Sequence, residues 1–207
     1  MHRPGLPEDL PPADLLWTRW AALATALART RDAGDRHRTG WWIDDDGLRR
    51  DDAGCTWWTL ADRGAGRFVL YGEDESSAVK WHEPRIDVLA GAPDWLPFAE
   101  LEDLLRGWEL GCVYWYEDGA WARAPYPEGL KDDGLDCGAA GCLVSADEAA
   151  LNLGGEAEVE RVHARAFLAH AERRAVTDAV LAELAGHLEE ADLPAMRETA
   201  RRAGLLG

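Results

Sequence analysis

A hairpin signal in the stretch Gly111–Pro127 limits the possible folds of this chain more than any other pattern in it. At its centre stands Asp118-Gly119, a pair that suits a type I′ turn because both central residues of that turn need positive φ. With the turn at this tip, Tyr116 falls opposite Trp121, and side chains alternate between two faces. One face then carries large aromatic rings. The other is rich in alanine, so that a further layer can pack closely against it.

Short strand-like segments separated by Gly and Asp turns precede this hairpin, a spacing that predicts an antiparallel meander. The expected strands are Gly40–Asp44, Thr56–Ala61, Arg67–Tyr71 and, as a further candidate, Ser77–His82. Strands thus fall in one block and most helical patterns in another, which favours an α+β fold over a βαβ fold. The sequence predicts an antiparallel β-meander sheet of about five to six strands, covered by an N-terminal helix and extended by a helical C-terminal annex.

Apolar periodicity and capping residues mark the helices. The expected helices are Pro12–Arg31, Phe98–Arg106, Ser145–Leu153 and Asp192–Gly204. Between the last two, the pattern from Glu156 onward fits either one long helix or two helices that meet around residues 174–177. These elements divide the chain into an α+β domain over residues 1–153 and a helical segment over residues 154–207, which we expect to pack on the same domain.

The net charge of −17 is unevenly distributed along the chain. Residues 44–160 hold 27 acids and nine bases, so the whole excess lies in this middle segment. Such a field repels nucleic acid phosphates and anionic lipid, and it attracts basic partners. No apolar run is long enough to span a membrane, and no secretion signal is found. We therefore expect a cytoplasmic protein that binds neither nucleic acid nor membrane.

Cysteine and histidine patterns do not predict a metal site. Cys137 and Cys142 are separated by four residues, and no second close pair completes a zinc site. Cys55 and Cys112 stand beside strand-like aromatic residues and are expected to be small buried apolar groups. Glu160-x-x-His163 resembles half of a di-iron ligand set, but the matching second pair is missing. We expect no disulfide framework, no metal and no cofactor.

The sequence carries none of the common catalytic signatures. There is no GxxxxGK[ST] phosphate loop, no GxGxxG after a strand, no HExxH, no GxSxG and no CxxC. Their absence favours a binding protein over an enzyme without deciding the question.

Acidic residues at a predicted strand end form the richest polar patch, and a second acidic cluster follows in the loop Pro125–Gly141. The candidate partner-binding residues are Glu73, Asp74, Glu75, Trp81, His82, Asp132, Asp133 and Asp136. A solvated turn and a magnesium or calcium site are the alternatives. Adjacent side chains on a strand point to opposite faces, which weighs against one ion being held by three neighbouring acids.

Two tryptophan doublets, Trp41-Trp42 and Trp57-Trp58, lie on predicted strands. One member of each doublet must face each side of the sheet. The doublets therefore supply either packing for a second layer or aromatic rings on a binding surface.

Charge and aromatic content together favour an acidic protein-binding module that masks a basic partner surface. Immunity proteins against nucleic-acid-cutting toxins work by this logic, since a toxin that grips phosphate presents positive charge. Two alternatives stay open. One is an enzyme of unrecognised type with its site near His82 and residues 125–141. The other is a structural or scaffolding protein that dimerises through its C-terminal helices.

Overall fold

Six strands form one antiparallel sheet in which each strand pairs with the next along the chain. The computed structural model describes residues 1–29, 38–136 and 140–207. The strands are β1 (Gly40–Ile43), β2 (Leu48–Asp51), β3 (Thr56–Asp62), β4 (Phe68–Asp74), β5 (Cys112–Glu117) and β6 (Ala120–Arg123). This arrangement confirms the predicted α+β meander, with an N-terminal helix and C-terminal helices around it.

The central hairpin has the predicted register. Tyr116 pairs with Trp121 across β5 and β6. At the tip, Asp118 has φ 52° and Gly119 has φ 83°, the two positive values that a type I′ turn requires. The turn chemistry of two residues therefore sets the pairing of this ribbon.

The structure contains one strand that was not predicted, and one candidate strand was wrong. Leu48–Asp51 forms β2 although its charged composition gave no strand signal; the Arg49 guanidinium is held by Asp44 and Asp46, and Arg50 stacks over the Trp41 ring at 5.3 Å. These contacts to residues outside the strand make a charged strand possible.

Ser77–His82 forms turns instead of a strand. Its backbone forms local hydrogen bonds, such as the one that the Ser77 amide donates to the Asp74 carbonyl oxygen at 3.0 Å.

The helices surround the sheet. They are α1 (Ala13–Ala26), α2 (Phe98–Arg106), α3 (Ala146–Glu156), α4 (Arg161–Glu172), α5 (Asp178–Ala185) and α6 (Leu193–Arg202). Helix α1 is shorter than predicted, since the Arg29 guanidinium donates to the carbonyl oxygens of Ala26 and Ala28 that a further turn would use. Residues 30 and 31 of that prediction lie outside the described residues.

The C-terminal helices resolve two expectations. Helix α3 continues through Gly154-Gly155, beyond its predicted end at Leu153. A Cβ on Gly154 would lie 3.1 Å from the Val159 carbonyl oxygen, so this glycine permits a close approach of the following loop. The pattern beyond Glu156 forms two helices. The second begins after Thr177, whose side chain accepts a hydrogen bond from the Val180 amide at 3.3 Å.

Both faces of the sheet are covered, and each has its own core. The first face packs against α1 and the C-terminal helices through residues such as Trp58, Leu70 and Tyr114. The second face packs under α2 and the loops of residues 77–97 and 107–111, with Val69 and Val113 at its centre. A sheet covered in this way buries successive residues of its central strands, and every residue of β4 is buried.

Polar contacts attach the C-terminal helices to α1. The Trp17 indole N–H donates to the Ala203 carbonyl oxygen at 2.9 Å. The nearly buried Arg19 guanidinium donates to Glu172 at 2.8 Å and to the Val144 carbonyl oxygen at 2.7 Å. The helical segment over residues 154–207 therefore contributes to the first-face core. None of the helices in the described ranges combines the length and the apolar character needed to cross a bilayer.

Candidate functional site

Two large aromatic rings stand exposed beside each other on the second face. Trp81 is 66% exposed and Trp108 is 49% exposed, and their ring centroids lie 6.3 Å apart. Exposed tryptophan is uncommon, because the ring has a large apolar area to bury. A pair of such rings marks this place as a candidate contact surface.

The backbone at Trp108 is strained. After α2, Gly107 keeps a right-handed conformation and Trp108 takes the left-handed one, with φ 60°. That position after a helix usually belongs to glycine, and it costs an ordinary L-residue roughly 1–2 kcal/mol. A bulky ring held in an unfavourable conformation on the surface points to a use other than stability.

The ring of Trp108 already contacts a cation within the chain. The Arg85 guanidinium carbon lies 4.7 Å from the ring centroid, and Arg85 also donates to the Leu105 carbonyl oxygen at 2.6 Å. A groove of about 550 Å³ runs beside the two tryptophans, between the 73–81 turn and the end of α2. We call the residues that line it the Trp81–Trp108 surface: Glu73, Glu75, Lys80, Trp81, Gly107, Trp108 and Glu109.

Two exposed carboxylates, those of Glu75 and Glu109, form the rim of the Trp81–Trp108 surface. The Glu75 segment is fixed by its backbone: its carbonyl oxygen accepts from the Trp81 indole N–H at 2.6 Å, and its amide donates to the Cys55 carbonyl oxygen at 2.8 Å. Cys55 was expected to be buried and is instead exposed, because it lies in the turn between β2 and β3. Its thiol donates to the Glu75 carboxylate, which raises the pKa of Cys55.

At the base of the same surface, Glu73 and Lys80 form a nearly buried ion pair. Their side chains are only 10% and 8% exposed. Each charge is therefore largely removed from water and compensated by the other. Glu73 is a predicted partner-binding residue, and the structure places its carboxylate in this internal pair.

Most other predicted site residues also have partners within the chain. Asp74 is buried and accepts from the Ser76 amide at 2.8 Å, and Asp132 accepts from the Ala78 amide at 3.1 Å. His82 is half-buried, and its ring Nδ1 lies 2.8 Å from the Pro84 carbonyl oxygen. The structure thus brings the two acidic segments together, and it directs several of their carboxylates inward.

Asp133 is 1% exposed and forms the centre of a buried network. Its carboxylate accepts from the Tyr114 hydroxyl at 2.7 Å and from the amides of Gly5 and Leu135 at 3.0 and 3.3 Å. Burial raises the pKa of Tyr114 well above its ordinary value, so the phenol stays protonated and donates. Asp136, nearby, pairs with Arg3. These acids attach the N-terminal arm, residues 1–12, to the sheet.

The loop that carries Asp133 packs closely against the end of β4 at Gly134. Substitution of this glycine therefore tests the contact directly. A Cβ on Gly134 (φ 80°) would lie 2.7 Å from Asp74 Cβ, whereas one on Gly129 (φ 81°) would meet nothing within 4 Å. Both alanine variants share the backbone strain, so we expect Gly134→Ala to lose about 1–3 kcal/mol more unfolding free energy than Gly129→Ala. Urea unfolding measures the difference, and equal losses would show that the loop and the end of β4 are not in contact.

Histidines gather in one further place. His163, His170 and His187 line a pocket of about 100 Å³ between α4 and α5 with Glu183, and the rings of His163 and His187 stack with centroids 3.5 Å apart. Even so, within residues 1–29, 38–136 and 140–207 no three or more His, Cys, Asp or Glu side chains are arranged to hold a metal ion. Cys137 lies outside the described residues, so the spacing of Cys137 and Cys142 stays untested.

Glu75 and Trp81 of the Trp81–Trp108 surface are among the predicted partner-binding residues, whereas Trp108 and Glu109 were not predicted from the sequence. The only local signal was Gly107 as a helix stop, which does not show that the next residue takes the left-handed position. Comparison of this chain with protein families, with curated proteins and with solved structures finds no match.

Proposed function

We propose that this chain is an acidic protein-binding module whose Trp81–Trp108 surface binds a basic segment of a protein partner. The observation that carries the proposal is the pair of exposed tryptophans within an acidic rim, one of which, Trp108, has a strained backbone. Aromatic rings at the centre of a contact with charges around them are typical of the residues that dominate binding energy.

Charge and ring chemistry support the same class of partner. A cationic side chain is attracted to the face of a tryptophan ring, and arginine stacks on such rings especially well. The contact of Arg85 with Trp108 is an example within the chain. Glu75 and Glu109 would add carboxylates around a guanidinium or ammonium group, and the net charge of −17 would steer a basic protein toward the surface. Masking the phosphate-binding face of a nucleic-acid-cutting toxin is one form that this function would take.

Replacement of Trp108 by glycine separates binding from stability. Glycine removes the ring and also relieves the left-handed strain, so we expect the unfolding free energy to change by less than about 1 kcal/mol. Affinity for the basic partner should fall at least about tenfold. Urea unfolding and titration calorimetry on the same preparations measure both quantities. A large loss of stability with unchanged affinity would make Trp108 a structural residue and contradict the proposal.

The partner is sought by affinity capture at low salt with three matched baits, read by mass spectrometry. The baits are the natural chain, Trp108→Gly and Leu151→Ala, a control that removes a 60% exposed apolar side chain from α3. A supporting result is a basic protein held by the natural and Leu151→Ala baits, lost from the Trp108→Gly bait and released by salt. Its association rate should fall about tenfold or more as the salt concentration rises. A partner retained equally by all three baits would refute this assignment of the surface.

A further inference from the structure

The second face of the sheet is less covered over β1, β2 and β3 than over β4 and β5. A groove of about 290 Å³ lies there, and among the described residues only Leu104 and Glu109 border it from the α2 side. We call it the Trp57 groove; its strand residues on this face are Trp42, Arg49, Asp51 and Trp57.

The strand register places the Trp57 ring between two acids. Trp57 pairs with Asp51 on β2 and with Glu73 on β4, and neighbouring strands lie about 4.8 Å apart. The Glu73 charge is compensated by Lys80. Within the described ranges, neither Asp51 nor Glu109 forms an ion pair with a basic side chain. An aromatic ring with uncompensated carboxylates beside it is suited to a cation.

Of the two arginines that border the Trp57 groove, Arg49 is held by acids and Arg50 lies on the opposite face of the sheet. Arg49 donates to Asp44, Asp46 and the Thr59 hydroxyl. The Arg50 side chain points to the opposite face, where its guanidinium stacks over Trp41. The Trp57 groove therefore has an acidic end, where Asp51 and Glu109 lie near Trp57.

The Trp57 groove is continuous with the Trp81–Trp108 surface. Glu109 lines both. In addition, Trp57 in the Trp57 groove is the cross-strand neighbour of Glu73 in the Trp81–Trp108 surface. We propose that the basic segment of the partner lies across both, with one cationic side chain at Trp81 and Trp108 and a second over Trp57, between Asp51 and Glu109. This inference rests on the function proposed above, and it adds that the partner segment carries at least two basic side chains on one face.

Two cationic contacts made by one segment should reinforce each other, because the second forms at high effective concentration once the first has formed. The probes are end-blocked glycine peptides that carry either one arginine or two arginines separated by one, two or three glycines. We expect the best two-arginine peptide to bind the full chain about tenfold more tightly than the one-arginine peptide at low salt. NMR titration that follows the indole N–H signals gives affinity and location together.

Two variants assign that gain to the Trp57 groove. Asp51→Asn removes only the charge, since its side-chain oxygen can still accept the 2.7 Å bond from the Ala53 amide, and Trp57→Leu removes the ring. Both variants should reduce the affinity of the two-arginine peptide to that of the one-arginine peptide and leave one-arginine binding unchanged. The control is Glu189→Gln, which removes an exposed negative charge after the end of α5 and should change neither affinity. Unchanged two-arginine affinity in Asp51→Asn would overturn the inference and leave the proposed function standing. If no peptide binds the natural chain at low salt, both fall.

Discussion

Replacement of Lys80 by methionine is expected to lower the unfolding free energy by about 3–5 kcal/mol at neutral pH. The variant keeps the aliphatic stem and removes only the ammonium group, so the Glu73 carboxylate, with a side chain 10% exposed, is left without its counter-ion. The Coulomb attraction of a nearly buried pair compensates most of the desolvation cost of each ion, and one ion alone bears that cost in full. Chemical unfolding followed by circular dichroism measures the loss.

Two matched variants show whether burial is the cause of that loss. Glu73→Leu combined with Lys80→Met removes both charges and should regain most of the stability, because apolar pairs of similar volume replace buried ion pairs well. Arg106→Met removes one partner of the exposed pair with Asp103, whose side chains are 71% and 79% exposed, and should leave the unfolding free energy nearly unchanged. A loss in Lys80→Met as small as that in Arg106→Met would mean that water reaches the Glu73 carboxylate.

The parts of the fold that local chemistry decides could be predicted from the sequence. Asp118-Gly119 determined a hairpin register, and Gly107 marked the end of α2, because each depends on a few neighbouring residues. Strand β2 could not be predicted, because its arginines are made acceptable by Asp44, Asp46 and the Trp41 ring, which a local pattern does not assign to them.

The acidic site illustrates the same limit. The acids at the end of β4 were assigned to a contact surface because they lie where the sequence predicts the end of a strand. Glu73 and Asp74 are adjacent on β4 and point to opposite faces. Because both faces of this sheet are covered, both side chains are buried. Glu75, one residue further, is exposed and stays in the candidate surface. Which carboxylate is free for a partner therefore depends on the second layer, whose position above the sheet only the tertiary structure gives.

Replacement of Asp133 by alanine is expected to lower the unfolding free energy by about 3–5 kcal/mol, because it leaves buried donors without an acceptor. The amides of Gly5 and Leu135 lose their side-chain acceptor, and the Tyr114 hydroxyl keeps only the Gly5 carbonyl oxygen at 2.8 Å. The network joins the N-terminal arm to β5. Limited proteolysis should therefore cleave the first ten residues faster in this variant, alongside the loss seen in chemical unfolding.

Asp133→Asn distinguishes lost hydrogen bonds from lost charge. Its amide oxygen can replace Oδ1 as the acceptor for Gly5 and Leu135, and its NH₂ group can donate to the Tyr114 hydroxyl, which then donates to the Gly5 carbonyl oxygen alone. We expect this variant to lose only about 1 kcal/mol and to protect the arm as the natural chain does. If the asparagine variant is as unstable as the alanine variant, the negative charge itself is required, and its attraction to Arg123, which donates to the same Gly5 carbonyl oxygen at 3.0 Å, becomes the physical reason. If neither variant is destabilised, Asp133 does not hold the N-terminal arm. The arm is then attached by other contacts, such as the hydrogen bond that the Trp121 indole N–H donates to the Pro11 carbonyl oxygen at 2.7 Å.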